Sequence, residues 1–95
     1  MALVFEWDPE KDKANRRKHG VGFEEAMTVF ADPLAGMRPD PRHSTREERF
    51  VMLGRSLRDR LLAVMFTERG ENRVRLISAR RATPHERNTY EEDYR

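Results

Sequence analysis

The chain of 95 residues contains no cysteine. Disulfide bonds, thiolate nucleophiles and cysteine-based zinc sites are therefore excluded. Lysine is also scarce, because only three of the 19 basic residues are lysines and arginine carries the rest of the positive charge. Arginine binds phosphate through a planar fork and stays charged when partly buried. This bias favours a phosphate-rich partner, although a solvated surface explains it equally well.

Long apolar runs are missing too. No stretch approaches the roughly 20 apolar residues that a membrane-spanning helix needs, and residues 1–7 lack the basic segment and long apolar run of a secretory signal. We therefore expect a cytoplasmic protein with no membrane contact. The length fits one domain, residues 1–95, with a single core.

Local signals predict a strand and two helices in the first third of the chain. Residues 4–7 alternate apolar and polar side chains, as a short strand does. An Asp-Pro pair then predicts a helix that runs from Pro9 to about Lys18 and ends at Gly20. The helix is polar on nearly every face, so packing alone does not explain it. A second helix, over residues 23–30, carries its apolar residues on one stripe.

The rest of the chain predicts strands and one more helix. A short strand is expected near residues 34–37, within an irregular segment. Short linkers predict an antiparallel meander of three strands, and a Thr-x-x-Glu capping box begins a C-terminal helix. These four elements cover residues 49–54, 61–67, 73–79 and 84–94. The fold class is therefore α+β: an antiparallel sheet with its helices grouped on one side, in the order β-α-α-β-β-β-α.

Several segments together resemble one protein family, the BrnT toxins. No single segment is specific, but they occur in order and at similar spacing over nearly the whole chain. They are residues 5–11, Asn15, residues 18–21, 23–26, 29–33 and 48–50, Gly54, residues 75–83, Glu86, Arg87, Tyr90 and Glu91.

The resemblance implies a small domain related to the RelE-type ribonucleases and an RNA-cleaving toxin of a type II toxin–antitoxin system. It also implies a BrnA-type antitoxin that forms a hetero-oligomer with the toxin, silences it and links it indirectly to DNA. We expect the toxin to inhibit translation and to use neither a metal nor another cofactor. The alternative is a binding module for nucleic acid or protein that has the fold but no turnover.

Metal-free RNA cleavage has chemical requirements that this chain can meet. The substrate's own 2′-hydroxyl is the nucleophile, which makes RNA the substrate and leaves DNA uncut. A base must take the hydroxyl proton, an acid must protonate the leaving 5′-oxygen, and cations must stabilise the charge that grows on the phosphate.

Arginines at the strand ends are expected to bind the phosphate. Arg80 and Arg81 end the last strand, and by strand alternation Arg80 shares a face with Val74 and Leu76 while Arg81 lies on the other. We predict a catalytic role for Arg80 and phosphate contacts for Arg81 and Arg49. An ion pair with an acid on the C-terminal helix is the alternative for the first two, and a rim charge for Arg49.

The acid–base candidates lie on two helices. Glu86 and Tyr90 are four residues apart, hence on one helix face, and are expected to act as base and as acid or orienter. Glu86 also completes the capping box, and Tyr90 can instead pack its ring on the sheet. His19 is a second candidate for proton transfer, with Lys18 beside it for phosphate. Both also suit the negative end of a helix dipole.

The expected antitoxin contacts are the polar first helix and the arginine-rich edge of the sheet. An acidic or amphipathic antitoxin segment laid over the arginines would cover the active site directly.

Overall fold

The structure, a computed structural model, describes residues 2–43 and 47–94. It consists of a five-stranded sheet with three α-helices and two short 3-10 turns. The elements are β1 (Val4–Glu6), α1 (Pro9–His19), α2 (Phe23–Thr28), a 3-10 turn (Val29–Ala31), β2 (Gly36–Pro39), a second 3-10 turn (Pro41–His43), β3 (Arg49–Arg55), β4 (Leu61–Glu68), β5 (Arg73–Arg81) and α3 (Pro84–Tyr94). The predicted α+β class and order of elements are confirmed.

The first helix has the termini that its sequence indicates. The Asp8 carboxylate accepts the N–H of Glu10 at 2.9 Å, and proline occupies the first helical position. At the other end Gly20 adopts the left-handed conformation, with φ of 69°, and donates its N–H to the Arg16 carbonyl. Among the described residues, no helix is long and apolar enough to cross a membrane.

The sheet is mixed, with the strand order β1-β5-β4-β3-β2. Strands β2 to β5 pair antiparallel, as the short linkers predict. Strand β1 instead lies parallel to β5, with Val4 opposite Arg73. The expectation of a wholly antiparallel sheet is therefore wrong. A hairpin would make neighbouring strands antiparallel, but β1 and β5 are connected by all the elements from α1 to β4, which allows parallel pairing.

The two faces of the sheet carry different helices. On the first face, α2 and the segment before it place Val21, Phe23 and Ala26 against apolar side chains of β4 and β5. On the second face, Tyr90 of α3 packs against Leu53 and other residues of β3 and β4. The expectation that all helices lie on one side is wrong, since β4 is apolar on both faces and needs cover on both.

A bulge in β5 reverses the predicted orientation of its last residues. Met65 pairs with Ser78, but the next residue, Phe66, pairs with Leu76, so that β5 contains one extra residue. Past the bulge, Arg80 pairs with Ala63 on the second face. The prediction that Arg80 shares a face with Val74 and Leu76 is therefore wrong, and Arg80 instead points to the side that α3 covers.

Buried Asn15 fixes the polar helix α1 to the sheet. Its amide nitrogen donates to the carbonyls of Val21 and Ala79, both at 2.8 Å, and its amide oxygen accepts the N–H of Ala79 at 3.1 Å. Strand β1 pairs with β5 only as far as Arg75, so the Asn15 amide takes the place of a strand partner farther along that edge. Hydrogen bonds, not an apolar stripe, therefore hold α1 at this point.

Candidate functional site

Two arginines converge on one buried carboxylate on the second face of the sheet. Arg80 of β5 donates to Glu86 of α3 through two hydrogen bonds, with Nη1 2.7 Å from Oε1 and Nη2 3.0 Å from Oε2. Arg38 of β2 places its Nη2 3.4 Å from the same Oε2. Strands β3 and β4 separate β2 from β5, so the arginines reach Glu86 from opposite sides. These three residues form the arginine–glutamate cluster.

The capping box orients Glu86 within this cluster. The Thr83 N–H donates to Oε1 of Glu86 at 2.9 Å, and the Glu86 N–H donates to the Thr83 hydroxyl at 3.1 Å. The predicted capping box is thus confirmed. The hydrogen bonds from Arg80 are the main cause that lowers the pKa of Glu86 to about 2; burial opposes them, and Thr83 and Arg38 add to them. While the ion pair is intact, Glu86 is therefore a weak base.

The arginines are more accessible than the carboxylate that they bind. The Glu86 side chain is 8% exposed, against 32% for Arg80 and 48% for Arg38. A phosphodiester approaching from solvent therefore meets the two guanidinium groups first and can share their N–H donors. The carboxylate holds both guanidinium groups in position, while part of each arginine side chain stays open to solvent.

Tyr90 lies one helical turn after Glu86, but its hydroxyl binds Asp32 and not a member of the arginine–glutamate cluster. Its hydroxyl donates to Oδ2 of Asp32 at 2.7 Å, and the same oxygen accepts the N–H of Arg55 at 2.8 Å. Burial is the main cause that raises the pKa of the Tyr90 hydroxyl, and Asp32 adds to it. Burial also acts to raise the pKa of Asp32, but its hydrogen bonds from Arg55, Tyr90 and Leu34 outweigh it and lower the pKa. Tyr90 thus links α3 to the turn before β2.

An apolar groove of about 150 Å³ lies between β2 and α3, directly beside Arg38. Leu34, Leu53 and Tyr90 supply apolar surface to it, and Thr89 of α3 borders it. Leu34 is 42% exposed, so that solvent reaches the groove. The cluster and the groove are continuous because Arg38 belongs to both.

The remaining arginines predicted to bind phosphate lie on different faces. Arg49 is on the face of Val51, whose partners are Arg38 on β2 and Met65 on β4, and is thus on the cluster's side of the sheet. Arg81 pairs with Leu62, a member of the first-face core, and is exposed. Arg80 and Arg81 thus lie on opposite faces of the sheet, as predicted. The face predicted for each one, however, is the face that the other occupies.

Lys18 and His19 lie apart from the cluster. They end α1, which packs against β5 next to the first-face core. Among the contacts of the described residues, none joins Lys18 or His19 to Arg80 or Glu86. The roles predicted for Lys18 and His19 therefore stay predictions.

Among residues 2–43 and 47–94, no group of three or more His, Cys, Asp or Glu side chains is arranged so that it could hold a metal ion.

Two residues of the site were missed by the sequence analysis. Arg38 follows the predicted strand over residues 34–37 by one position, within a stretch expected to be irregular, and a lone arginine there gives no signal. Asp32 was not assigned to the site either, because in the sequence it only precedes Pro33 after the predicted second helix. Its role in the site depends on Tyr90, 58 residues later in the chain, which a local pattern does not reveal.

The chain is similar to known ribonuclease toxins. Residues 7–86 match the family described as "Ribonuclease toxin, BrnT, of type II toxin-antitoxin system". The crystal structure of the ribonuclease toxin BrnT from Brucella abortus superposes with a TM-score of 0.64 and 26% sequence identity, over 87% of this chain and 97% of that one. No protein with a curated description matches the sequence.

Proposed function

Since the chain belongs to the BrnT family of ribonuclease toxins of type II toxin–antitoxin systems, we propose that it cleaves RNA without a metal at the arginine–glutamate cluster. The observation that supports this site is the convergence of Arg38 and Arg80 on the buried Glu86 carboxylate. The cluster combines the cations and the carboxylate that phosphodiester cleavage by a 2′-hydroxyl requires.

In this proposal the substrate phosphate takes hydrogen bonds from Arg38 and Arg80, and Arg49 binds a neighbouring phosphate on the same face. The 2′-oxygen bonds to phosphorus as the bond between phosphorus and the 5′-oxygen breaks, and the arginines stabilise the charge that develops on the phosphate. The leaving 5′-oxygen takes its proton from water. Glu86 loses part of its hydrogen bonding to Arg80 at that moment. Because those bonds are the main cause of its low pKa, the carboxylate becomes a stronger base and accepts the 2′-hydroxyl proton.

The proposed partner is a BrnA-type antitoxin that forms a hetero-oligomer with the toxin in the cytoplasm. An acidic antitoxin segment laid over Arg38 and Arg80 would compete with RNA for the same N–H donors. In this proposal, DNA is contacted only by the antitoxin, and cleavage of cellular RNA inhibits translation. Arg80→Ala is expected to weaken antitoxin binding. Unchanged affinity in a titration would contradict this placement.

The test is cleavage of single-stranded RNA by the purified chain in excess EDTA. Cleavage should persist and leave 2′,3′-cyclic phosphate ends, because the 2′-hydroxyl is the nucleophile, and an all-2′-deoxy substrate should stay intact. Activity that disappears in EDTA and returns with Mg²⁺ would contradict the metal-free mechanism. Adding a BrnA-type antitoxin should stop the reaction.

Glu86→Gln tests the role of the carboxylate. Glutamine is accepted in a capping box, so helix α3 keeps its start while the base is lost. We expect cleavage to fall about 100-fold or more and RNA binding to persist, with folding checked by circular dichroism. Glu91→Gln, which removes an exposed acid from the same helix, is the matched control and should leave cleavage unchanged.

The same pair of variants addresses the binding-module alternative. A module without turnover shows no cleavage in either variant or in the parent, on free RNA or on translating ribosomes, yet still binds RNA through Arg80. Equal cleavage by the parent and Glu86→Gln would instead remove Glu86 from the reaction.

A further inference from the structure

One of the residues that line the groove between β2 and α3 is a glycine. Gly36 lies opposite Leu53 in the β2–β3 register, on the second face of the sheet. Apart from its two chain neighbours, no described residue has an atom within 4 Å of a Cβ placed on Gly36. Leu53 and Tyr90, which are 6% and 7% exposed, form the floor of the groove, and no side chain of Gly36 covers them from the strand side.

We propose that this groove is a nucleobase subsite, which receives the base of a nucleotide whose phosphate is held by Arg38 and Arg80. The inference rests on the proposed function, since it assigns part of the RNA to a surface next to the cluster. Arg38 both lines the groove and contacts Glu86, so one side chain joins the phosphate position to the groove.

The chemistry of the groove fits a base better than it fits a second phosphate. Its walls are aliphatic and aromatic, which suits the faces of a planar ring, and an arginine guanidinium at the rim can stack on that ring. The Thr89 hydroxyl donates to the His85 carbonyl at 3.1 Å, so that its oxygen remains able to accept a hydrogen bond from the base edge. A purely electrostatic site needs none of these features.

Filling the groove is the direct test. Gly36→Phe places an aromatic ring in the groove, and Gly36→Ala adds only a methyl group. The probes are a short single-stranded 2′-O-methyl RNA, which lacks the nucleophilic hydroxyl, and an abasic phosphodiester oligomer of equal length. Affinities are measured by fluorescence anisotropy.

The parent should bind the RNA more tightly than the abasic oligomer. Gly36→Phe should weaken RNA binding roughly tenfold, the size of one lost stacking contact, and leave affinity for the abasic oligomer unchanged. Gly36→Ala should resemble the parent. Arg38→Ala, by contrast, should weaken binding of both oligomers, because it removes a phosphate contact.

Three outcomes overturn the subsite. Equal RNA affinity of Gly36→Phe and the parent shows that no base enters the groove, while cleavage by the parent leaves the proposed function intact. Weaker antitoxin binding by Gly36→Phe, with RNA binding unchanged, makes the groove a protein-docking surface. Failure of the parent to bind or cleave RNA overturns the proposed function and the subsite together.

Discussion

Glu86 has two structural tasks that involve different neighbours. Its Oε1 accepts the Thr83 N–H that begins α3, and both carboxylate oxygens bind Arg80. The fold of the helix end thus fixes the carboxylate, and the carboxylate fixes the arginine. The interpretations of Glu86 as cap and as site residue, which the sequence left open, are therefore compatible.

Tyr90→Phe distinguishes an acid from a positioning residue. The Tyr90 hydroxyl is bound to Asp32, so we expect its removal to cost about 1–2 kcal/mol in the free energy of unfolding and to change cleavage less than tenfold. Thermal denaturation and single-turnover cleavage measure the two effects. A loss of cleavage of about 100-fold with an unchanged melting temperature would instead support the acid role predicted for Tyr90.

The chemical types of several site residues were predictable because they lie close together in sequence. Arg80, Glu86 and Tyr90 occur within eleven positions, at a strand end and on one helix face. Arg38 was not predictable, since it reaches the cluster only through the pairing of β2 with β3. Sequence spacing locates neighbours along an element, but long-range strand pairing decides which elements meet.

At the scale of elements, two side chains make hydrogen bonds to the backbone of β5 and of β3 at positions that their neighbouring strands, β1 and β2, do not reach. Asn15 binds the backbone of β5 beyond β1, and Asp32 accepts the Arg55 N–H of β3 beyond β2. Both residues thereby satisfy backbone groups that would otherwise lack a partner. Each also fixes a second element, α1 in one case and α3, through Tyr90, in the other.

Asn15→Ala should therefore destabilise the protein more than its position on a polar helix suggests. It removes the partners of the Ala79 N–H and of two carbonyls, at a buried site. We expect a loss of about 2–4 kcal/mol in the free energy of unfolding, measured by urea denaturation. Lys13→Ala, on the exposed side of the same helix, should cost little; equal losses would contradict the role of Asn15.

Two glycines on adjacent strands should respond to alanine in opposite directions. A Cβ on Gly54 would lie 2.8 Å from the Ala35 Cβ and 2.9 Å from Val29 Cγ1. A Cβ on Gly36 would have no atom of residues 2–43 or 47–94 within 4 Å, its chain neighbours apart. Gly54→Ala should cost about 1–3 kcal/mol, and Gly36→Ala should gain up to about 1 kcal/mol by restricting the unfolded chain. Denaturation midpoints that move in the same direction would contradict this packing.

Element boundaries were largely predictable, because proline, glycine and capping side chains mark them in the sequence. The β5 bulge was not. The sequence predicts a regular strand over residues 73–79, ending in Arg80 and Arg81, and the extra residue is visible only from the partners of Met65 and Phe66 on β4. This single insertion changes the face of Arg80, and hence decides which helix it meets.

At the scale of the whole molecule, acid should destabilise the fold. The folded pKa of Glu86, about 2, lies below its ordinary value of 4.5. The ionised carboxylate therefore stabilises the fold above about pH 4.5, and this contribution is lost as the pH falls towards 2. The contribution of Glu86 to the free energy of unfolding amounts to roughly 3 kcal/mol. The pKa values of Glu25 and Asp32 are also lowered, so these two carboxylates likewise stabilise the fold at neutral pH and lose that contribution in acid.

Urea denaturation between pH 7 and pH 2 measures this dependence. Glu86→Gln is the control, because it removes the titrating group and should flatten the decline between pH 4.5 and 2. A profile identical to that of the parent would show that the pairing of Glu86 with Arg80 contributes no stability.

The parallel pairing of β1 with β5 has a consequence for synthesis. A ribosome produces the chain from its N-terminus, so Val4 has no strand partner until Arg73 has been made, and Asn15 has no Ala79 to bind. Strand β1 and helix α1 must therefore leave the ribosome before their place in the sheet exists. Arg80 and Glu86 are added later still. Translation products that stop short of β5 contain neither the assembled sheet nor the cluster, so only a chain that extends past Glu86 can form the cluster.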